Sequence, residues 1–172
     1  LGNYSAIQGV RPAAGRVFNS KEDDQAYQGH PVAVISYGYW ESRFSRDPDV
    51  VGKKVRVNDY PMTIVGVSQA GFTGLDPARS PQIRVPILMK PVMVPEWGWM
   101  QMDDRRPRWA QIFGGLKPGY TVESAQAPVQ GLFTQIRAYE MTLGRAKECS
   151  SYSREQFMKG QLIVAKADHG YS

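Results

Sequence analysis

Val32-Ala33-Val34-Ile35-Ser36-Tyr37-Gly38-Tyr39-Trp40-Glu41-Ser42-Arg43-Phe44 is the stretch on which the fold turns. Four consecutive apolar residues, three of them β-branched, follow Pro31 and predict a buried strand. Ser36 stands where a helix N-cap belongs. Tyr37, Trp40 and Phe44 then recur at i, i+3 and i+7, one face of a helix. Asp47-Pro48-Asp49 predicts the stop, because the residue before a proline is biased away from helical backbone. Lys54-Val55-Arg56-Val57 alternates polar and apolar as a half-exposed strand should, Asn58-Asp59 reads as a two-residue turn, and Tyr60 to Val67 returns as a second strand. A strand–helix–hairpin unit results.

Outward from this unit the signals are more mixed. Residues 2–9 predict one short helical turn ended by Gly9, and Val10 to Pro31, rich in Pro, Gly and charge, predicts mainly loop. Within that loop Glu22-Asp23-Asp24 lacks the alternating spacing and glycine of a calcium loop, and reads as a solvated acidic surface or a helix start. Gly71, Gly74, Pro77 and Pro81 mark another loop. Ile83 to Ile87 reads as a short strand that Pro86 confines to an edge or an end. Trp109 to Leu116 is strand-like, and Lys117-Pro118-Gly119 is a turn. Thr121 caps the strongest helical pattern, in which Val122, Ala125, Val129, Leu132, Ile136, Tyr139 and Leu143 step by threes and fours. Pro128 is expected to kink that helix or set back its start, and Gly144 to stop it. Ser153-Arg154-Glu155-Gln156 suggests a capping box for a short helix, and Gln161 to Ala167 a last strand. This order of elements, without regular β–α alternation, is α+β.

Composition narrows the function classes. The chain has 172 residues, enough to bury a proper core, and its 42% hydrophobic and 22% charged content is ordinary for a globular protein. A single cysteine excludes an internal disulfide framework and a zinc site built on several thiolates. The net charge of +5 is spread along the chain except at Arg105, Arg106 and Arg108, and there Asp103 and Asp104 stand beside the arginines. Nucleic-acid binding needs a clustered basic stripe, so no nucleic-acid partner is expected. No apolar run approaches the roughly 20 residues of a membrane span, so this segment is expected not to insert into a bilayer. Starting at Leu1 without a signal sequence, it reads as a piece of something longer.

Catalytic signatures are absent: no GxSxG, Walker A, GxGxxG, HExxH or CxxC pattern occurs. His30 and His169 lack a neighbouring Ser or Cys with a third orienting group, and Cys149 sits in a polar Glu-Cys-Ser-Ser context. Neither a catalytic residue, nor a cofactor, nor a metal site is expected. The Met- and Trp-rich stretch 88–109 has no clean period, and adaptable Met with amphipathic Trp suits apolar contacts. Met93, Trp97, Trp99, Met100, Arg105 and Arg106 are therefore the candidate contact residues for a partner or ligand, against the alternative that the apolar ones fill an irregular core.

Several short strings, in order, resemble the extracytoplasmic core domain of MacB-type ABC transporter permeases. Gly2-Asn3-Tyr4, Gly9-Val10-Arg11-Pro12 and Gly15-Arg16-Val17-Phe18 are similar to its start, and Val32 to Tyr37 with Trp40 and Arg43-Phe44 to its most recognisable segment. Asp47-Pro48, Val51-Gly52-Lys53, Val57-Asn58, Thr63 to Val67, Gly71-Phe72, Val85-Pro86 and Leu116-Lys117-Pro118-Gly119 continue the series to about residue 144. The look is closest to the duplicated permeases of acidobacteria. Ser5, Asn58-Asp59 and Gly115 depart from the usual pattern of an aromatic, Asn-Gly and Arg.

The resemblance implies a porter-like βα core, residues 1–20 with 109–172 and lacking its N-terminal part, and an inserted smaller mixed α/β subdomain, residues 21–108. It implies a non-enzymatic domain on the periplasmic side of the bacterial inner membrane, coupling ATP hydrolysis on a separate nucleotide-binding domain or subunit to efflux or partner action. The implied partners are transmembrane segments of the same parent chain, a second permease copy or a periplasmic adaptor protein. The rival reading is a free-standing binding module whose 88–109 loop takes an apolar ligand or peptide.

Overall fold

The computed structural model describes residues 4–19, 23, 30–76, 80–95, 111–143 and 149–167. Two compact units emerge, residues 1–113 with the last three residues, and residues 114–169.

In the first unit, α1 (Tyr4–Ile7) is followed by β1 (Pro12–Gly15), β2 (Val32–Ile35), α2 (Tyr37–Phe44), β3 (Lys54–Val57), β4 (Tyr60–Ser68), β5 (Ile83–Arg84) and α3 (Lys90–Met93). The strands form one mixed sheet in the order β1-β4-β2-β5, with β3 also paired to β4. β2 and β4 run parallel, so α2 and the β3–β4 hairpin make the crossover between them. All four residues of β2 are buried, as its unbroken apolar run predicts. Ile35 packs with Trp40, Val50, Ile64 and Val67, while Ala33 packs with Met62, Met89 and Met93.

Local chemistry explains the boundaries. The Ser36 side chain accepts from the Tyr39 N–H at 3.1 Å and caps α2. That helix ends earlier than Asp47-Pro48 suggests. Ser45 and Arg46 turn left-handed (φ 50° and 56°), and the Trp40 indole N–H donates to the Asp47 carbonyl at 2.8 Å. Asp47 instead caps a separate 3-10 turn, Pro48–Val50. Asn58 and Asp59 both have positive φ (47° and 63°), as a two-residue hairpin turn requires. Asn58 also donates to the Met93 carbonyl at 2.7 Å, tying the hairpin to α3.

Residues 12–15, expected as loop, form a strand antiparallel to β4. Composition hid it because Pro12-Ala13-Ala14-Gly15 carries no β-propensity; the partner strand imposes the conformation. The two chains approach so closely that Gly15 and Gly66 leave no room for a side chain: a Cβ on Gly66 would land on the Arg16 backbone, and one on Gly15, at φ +61°, on the Val65 carbonyl.

Asp23, expected on a solvated acidic surface or at a helix start, is helical and only 1% exposed. Arg16 donates to it from both terminal nitrogens at 2.7 and 3.1 Å, the Asn19 N–H at 2.8 Å, and His30 Nε2 lies 3.3 Å away. Burial alone pushes the carboxyl up, but these donors and charges outweigh it and hold Asp23 below the ordinary carboxylate value.

The second unit contains α4 (Val122–Thr142) and α5 (Ser151–Met158). Thr121 caps α4 reciprocally with Ser124, and the helix starts on time and runs as one element through Pro128. α5 begins one turn before the expected box, with Ser150 as its cap. Arg137 is buried at the α4–α5 contact, its guanidinium carbon 4.7 Å from the Phe133 ring centre and 4.2 Å from that of Phe157. Gly160 leaves the space that this guanidinium occupies. The apolar stripe that steps by threes and fours along α4 stays partly in solvent, with Leu132 58% and Tyr139 55% exposed. Residues 161–167 are not a strand. Gln126 and Gln130 of α4 hold them with three side-chain hydrogen bonds to Leu162 and Val164, of 2.6, 2.8 and 2.9 Å. Residues 111–116, expected as strand, are irregular, and Trp109 and Gly144 lie outside the described residues.

Two substitutions test the β1–β4 seam by opposite signs. Gly66→Ala should lower unfolding stability by about 2 kcal/mol through overpacking against backbone. Gly38→Ala, with nothing within 4 Å of its Cβ, should gain up to about 1 kcal/mol from helix propensity. Urea denaturation measures both, and equal effects would refute the close approach. A second prediction concerns acid. Because the folded Asp23 carboxyl titrates below its unfolded value, the stability it contributes is present above about pH 4 and lost as pH falls through the lower folded value. Urea midpoints at pH 7 and pH 2.5 should therefore fall further for the wild type than for Arg16→Met, and matching falls would show that the pair does not operate.

Candidate functional site

Neighbouring residues on a strand point to opposite faces, and β2 uses both. Ile35 enters the cluster around Trp40, while Val34 faces a cavity of about 450 Å³ on the other side of the sheet. α1 and the turn after it wall the cavity through Tyr4, Ile7 and Val10. Val17 and Phe18 follow β1, Val85 to Ile87 follow β5, and Phe72 and residues 111–113 complete the wall. The surface is mainly apolar, and the volume lies in the range of small-molecule sites.

Three titratable side chains stand among the described lining residues: Tyr4, Asp23 and Arg84. Asp23 is already neutralised by Arg16 and its other donors. Arg84 is different. Its Nη2 donates to the Thr73 carbonyl at 3.1 Å, and its guanidinium carbon lies 4.7 Å from the Phe72 ring centre. Its Nη1 is buried with no hydrogen-bond partner. Burial pulls the guanidinium below its ordinary pKa, partly opposed by Tyr4, yet an arginine stays protonated. Gly74 is required by its φ of +98°, and a Cβ there would stand 3.4 Å from Arg84 Nη2 and 3.5 Å from the Tyr4 hydroxyl, ordinary contact distances. The buried hydroxyl of Ser68 also lines the cavity and donates to the Ile35 carbonyl at 3.4 Å. This arrangement suits binding: one cation set in an apolar wall, with no nucleophile–base pair among the described lining residues.

Of the residues singled out from sequence, Met93 is 5% exposed and packs with Ala33, Met62 and Met89. Trp97, Trp99, Met100, Arg105 and Arg106 lie outside the described residues. His30 belongs to the Asp23 network, and Cys149 is exposed. Among the described residues no group of three His, Cys, Asp or Glu side chains could hold a metal ion, and no helix is long and apolar enough to cross a membrane. Arg84 was not marked by any motif. The available signal was alternation: in Ile83-Arg84-Val85 a charged residue sits on the face opposite its two apolar neighbours, on a strand short enough for that face to be overlooked.

Comparison with known proteins bears on the whole first unit. A family model described as the MacB-like periplasmic core domain matches residues 2–132. Among solved structures, the periplasmic region of MacB from Actinobacillus actinomycetemcomitans superposes with a TM-score of 0.52 at 15% identity, covering 78% of this chain and 53% of that one. A domain assigned to a permease protein from Porphyromonas gingivalis gives 0.44 at 19% identity, covering 78% and 56%. The chain thus spans about half the length of these solved structures, and no curated protein matches it significantly. The family match covers most of the chain, and the MacB region shares its mixed α/β fold. The chain belongs to the MacB-like periplasmic core domain family, the periplasmic part of ABC transporter permeases.

Proposed function

We propose that this domain transmits ATP-driven motion from the cytoplasmic side of a permease to substrate efflux, or to a partner protein, outside the inner membrane. The observation that carries the reading is the family match across residues 2–132. Membership implies attachment to transmembrane segments of the same chain. ATP hydrolysis belongs, in this reading, to a separate nucleotide-binding domain or subunit, and the domain itself performs no chemistry. A second permease copy or a periplasmic adaptor is the partner on the outer side.

The same proposal takes residues 1–20 with 109–172 as the porter-like core and residues 21–108 as the projecting insert. The β1–β4 seam then becomes the mechanical joint between them. Hydrogen-bonded backbone with two glycines in close approach resists shear better than a side-chain contact would, because packed interiors deform little.

The test uses the parent permease with its ATPase, reconstituted in membrane. Glu41, exposed on α2, is changed to Cys after removal of Cys149, and a second spin label is placed at the end of the adjoining transmembrane segment. Pulsed-resonance distance distributions should differ between the nucleotide-free and ATP-trapped states. Identical distributions in a preparation that hydrolyses ATP would overturn the transmission reading.

A further inference from the structure

α4 carries an apolar stripe that the second unit leaves uncovered. Val122, Ala125, Val129, Leu132, Ile136, Tyr139 and Leu143 alternate strictly by threes and fours, the spacing of a coiled-coil seam. The first three are half-buried, whereas the last four are 58, 41, 55 and 39% exposed. Phe133 and Arg137, which meet α5, each follow a stripe residue and lie about 100° round the helix from it, so the stripe turns away from α5. At that angle per residue the four exposed positions fall within about 60°. A helix lying on a broad core needs a stripe of about 100° or more, whereas a seam this narrow fits one other helix. The flanks agree. A seam left in water is bordered by charged residues, and here Phe133, Gln135 and Thr142 leave Glu140 as the one charge at the flanking positions.

Area decides what kind of helix covers it. Side chains of this size offer roughly 200 Å² each, so the half-exposed stripe presents roughly 400 Å². Separate molecules that associate stably bury about 800 Å² each and lose translational and rotational freedom, so this stripe alone does not hold a second copy. A segment of the same polypeptide is tethered at high effective concentration and escapes most of that loss. Family members have chain to supply one: the match covers 53% of the MacB periplasmic region, which leaves almost half of that region unmatched. We propose that α4 packs, in the parent permease, against an apolar-striped helix of the same polypeptide outside these 172 residues. The contact links the second unit to the rest of the permease. It rests on family membership and on nothing in the transmission reading.

Site-specific photo-crosslinking on the full-length permease, in detergent and in lipid vesicles, tests it. Benzoylphenylalanine is placed at Leu132 and, in a separate variant, at Tyr139, with Ala138 on another exposed side of α4 as control. Adducts mapped by mass spectrometry should join each probe to permease residues outside the 172, within one chain, and Ala138 should give none. The two probes stand about 10 Å apart along the axis, so their adducts should fall about seven residues apart on a partner helix. A spacing of about three residues would mean a strand and overturn the helix. Adducts between two permease copies, with lipid or detergent alone, or with the 172 residues alone would overturn the proposal, as would no adduct from either probe. No nucleotide enters the experiment, so its failure leaves the transmission reading standing. Should one probe position prevent assembly, the other still identifies the occupant.

Discussion

Backbone hydrogen bonding along both edges of β4 is the constraint on which the first unit depends. One edge of this nine-residue strand pairs with β2, and the other is shared between β1 and β3. Every buried N–H and C=O needs a partner, and β4 is the strand from which its neighbours obtain theirs. Registers follow from this sharing. Ala33 pairs with Ile64 and Val34 with Gly66, so Val65 has no partner on β2 and turns its carbonyl to the Arg16 N–H instead. That irregularity brings β1 against Gly66, where only a glycine fits. A strand without β-forming residues is thus held in place by a strand rich in them.

The cavity is a consequence of the same arrangement. Because β2 is buried on both faces, the face opposite α2 must be covered, and short pieces do this: α1, the chain after β1, and the segment leaving β5. Short irregular pieces pack less completely than a helix laid along a sheet, and the space left over is lined by whatever those pieces carry. Arg84, at the end of the two-residue β5, is one of the residues that line it. The family relation and the cavity address different scales. The first says where in a permease this chain works. The second is a mainly apolar space within the first unit.

The second unit is built by other means. Its two helices meet through an arginine between two phenylalanines, and its last segment is held by glutamine side chains rather than by a sheet. Polar side chains replace backbone ladders here, and this defeats pattern reading. Gln161 to Ala167 looks like a strand because its apolar residues alternate, yet alternation says only that one side is covered. Phe133 and Arg137, one turn apart on α4, make the face that meets α5, while Leu132 and Tyr139 of the periodic stripe stay in solvent.

How much was legible depends on whether the information was local. Ser36 as cap, Asn58-Asp59 as turn, Gly9 as stop and Thr121 as the start of α4 are decided by the chemistry of a few adjacent residues, and all four stand in the structure as read. The ordered strings from Gly2 onward also sufficed to place the chain in its family. Three features were decided elsewhere: β1, the burial of Asp23, and the exposure of half the α4 stripe. Each depends on a partner distant in the chain or across a helix pair. Arg84 belongs with them, since a charged residue on a strand says nothing of itself about whether its guanidinium meets water, a carboxylate or an empty space. The sequence by itself determined the local turns, caps and family of this protein, because those are short-range properties of residue type. Only the tertiary structure decided which strand β1 would join and that Arg84 would face a cavity, because both require knowing what lies on the far side of the sheet.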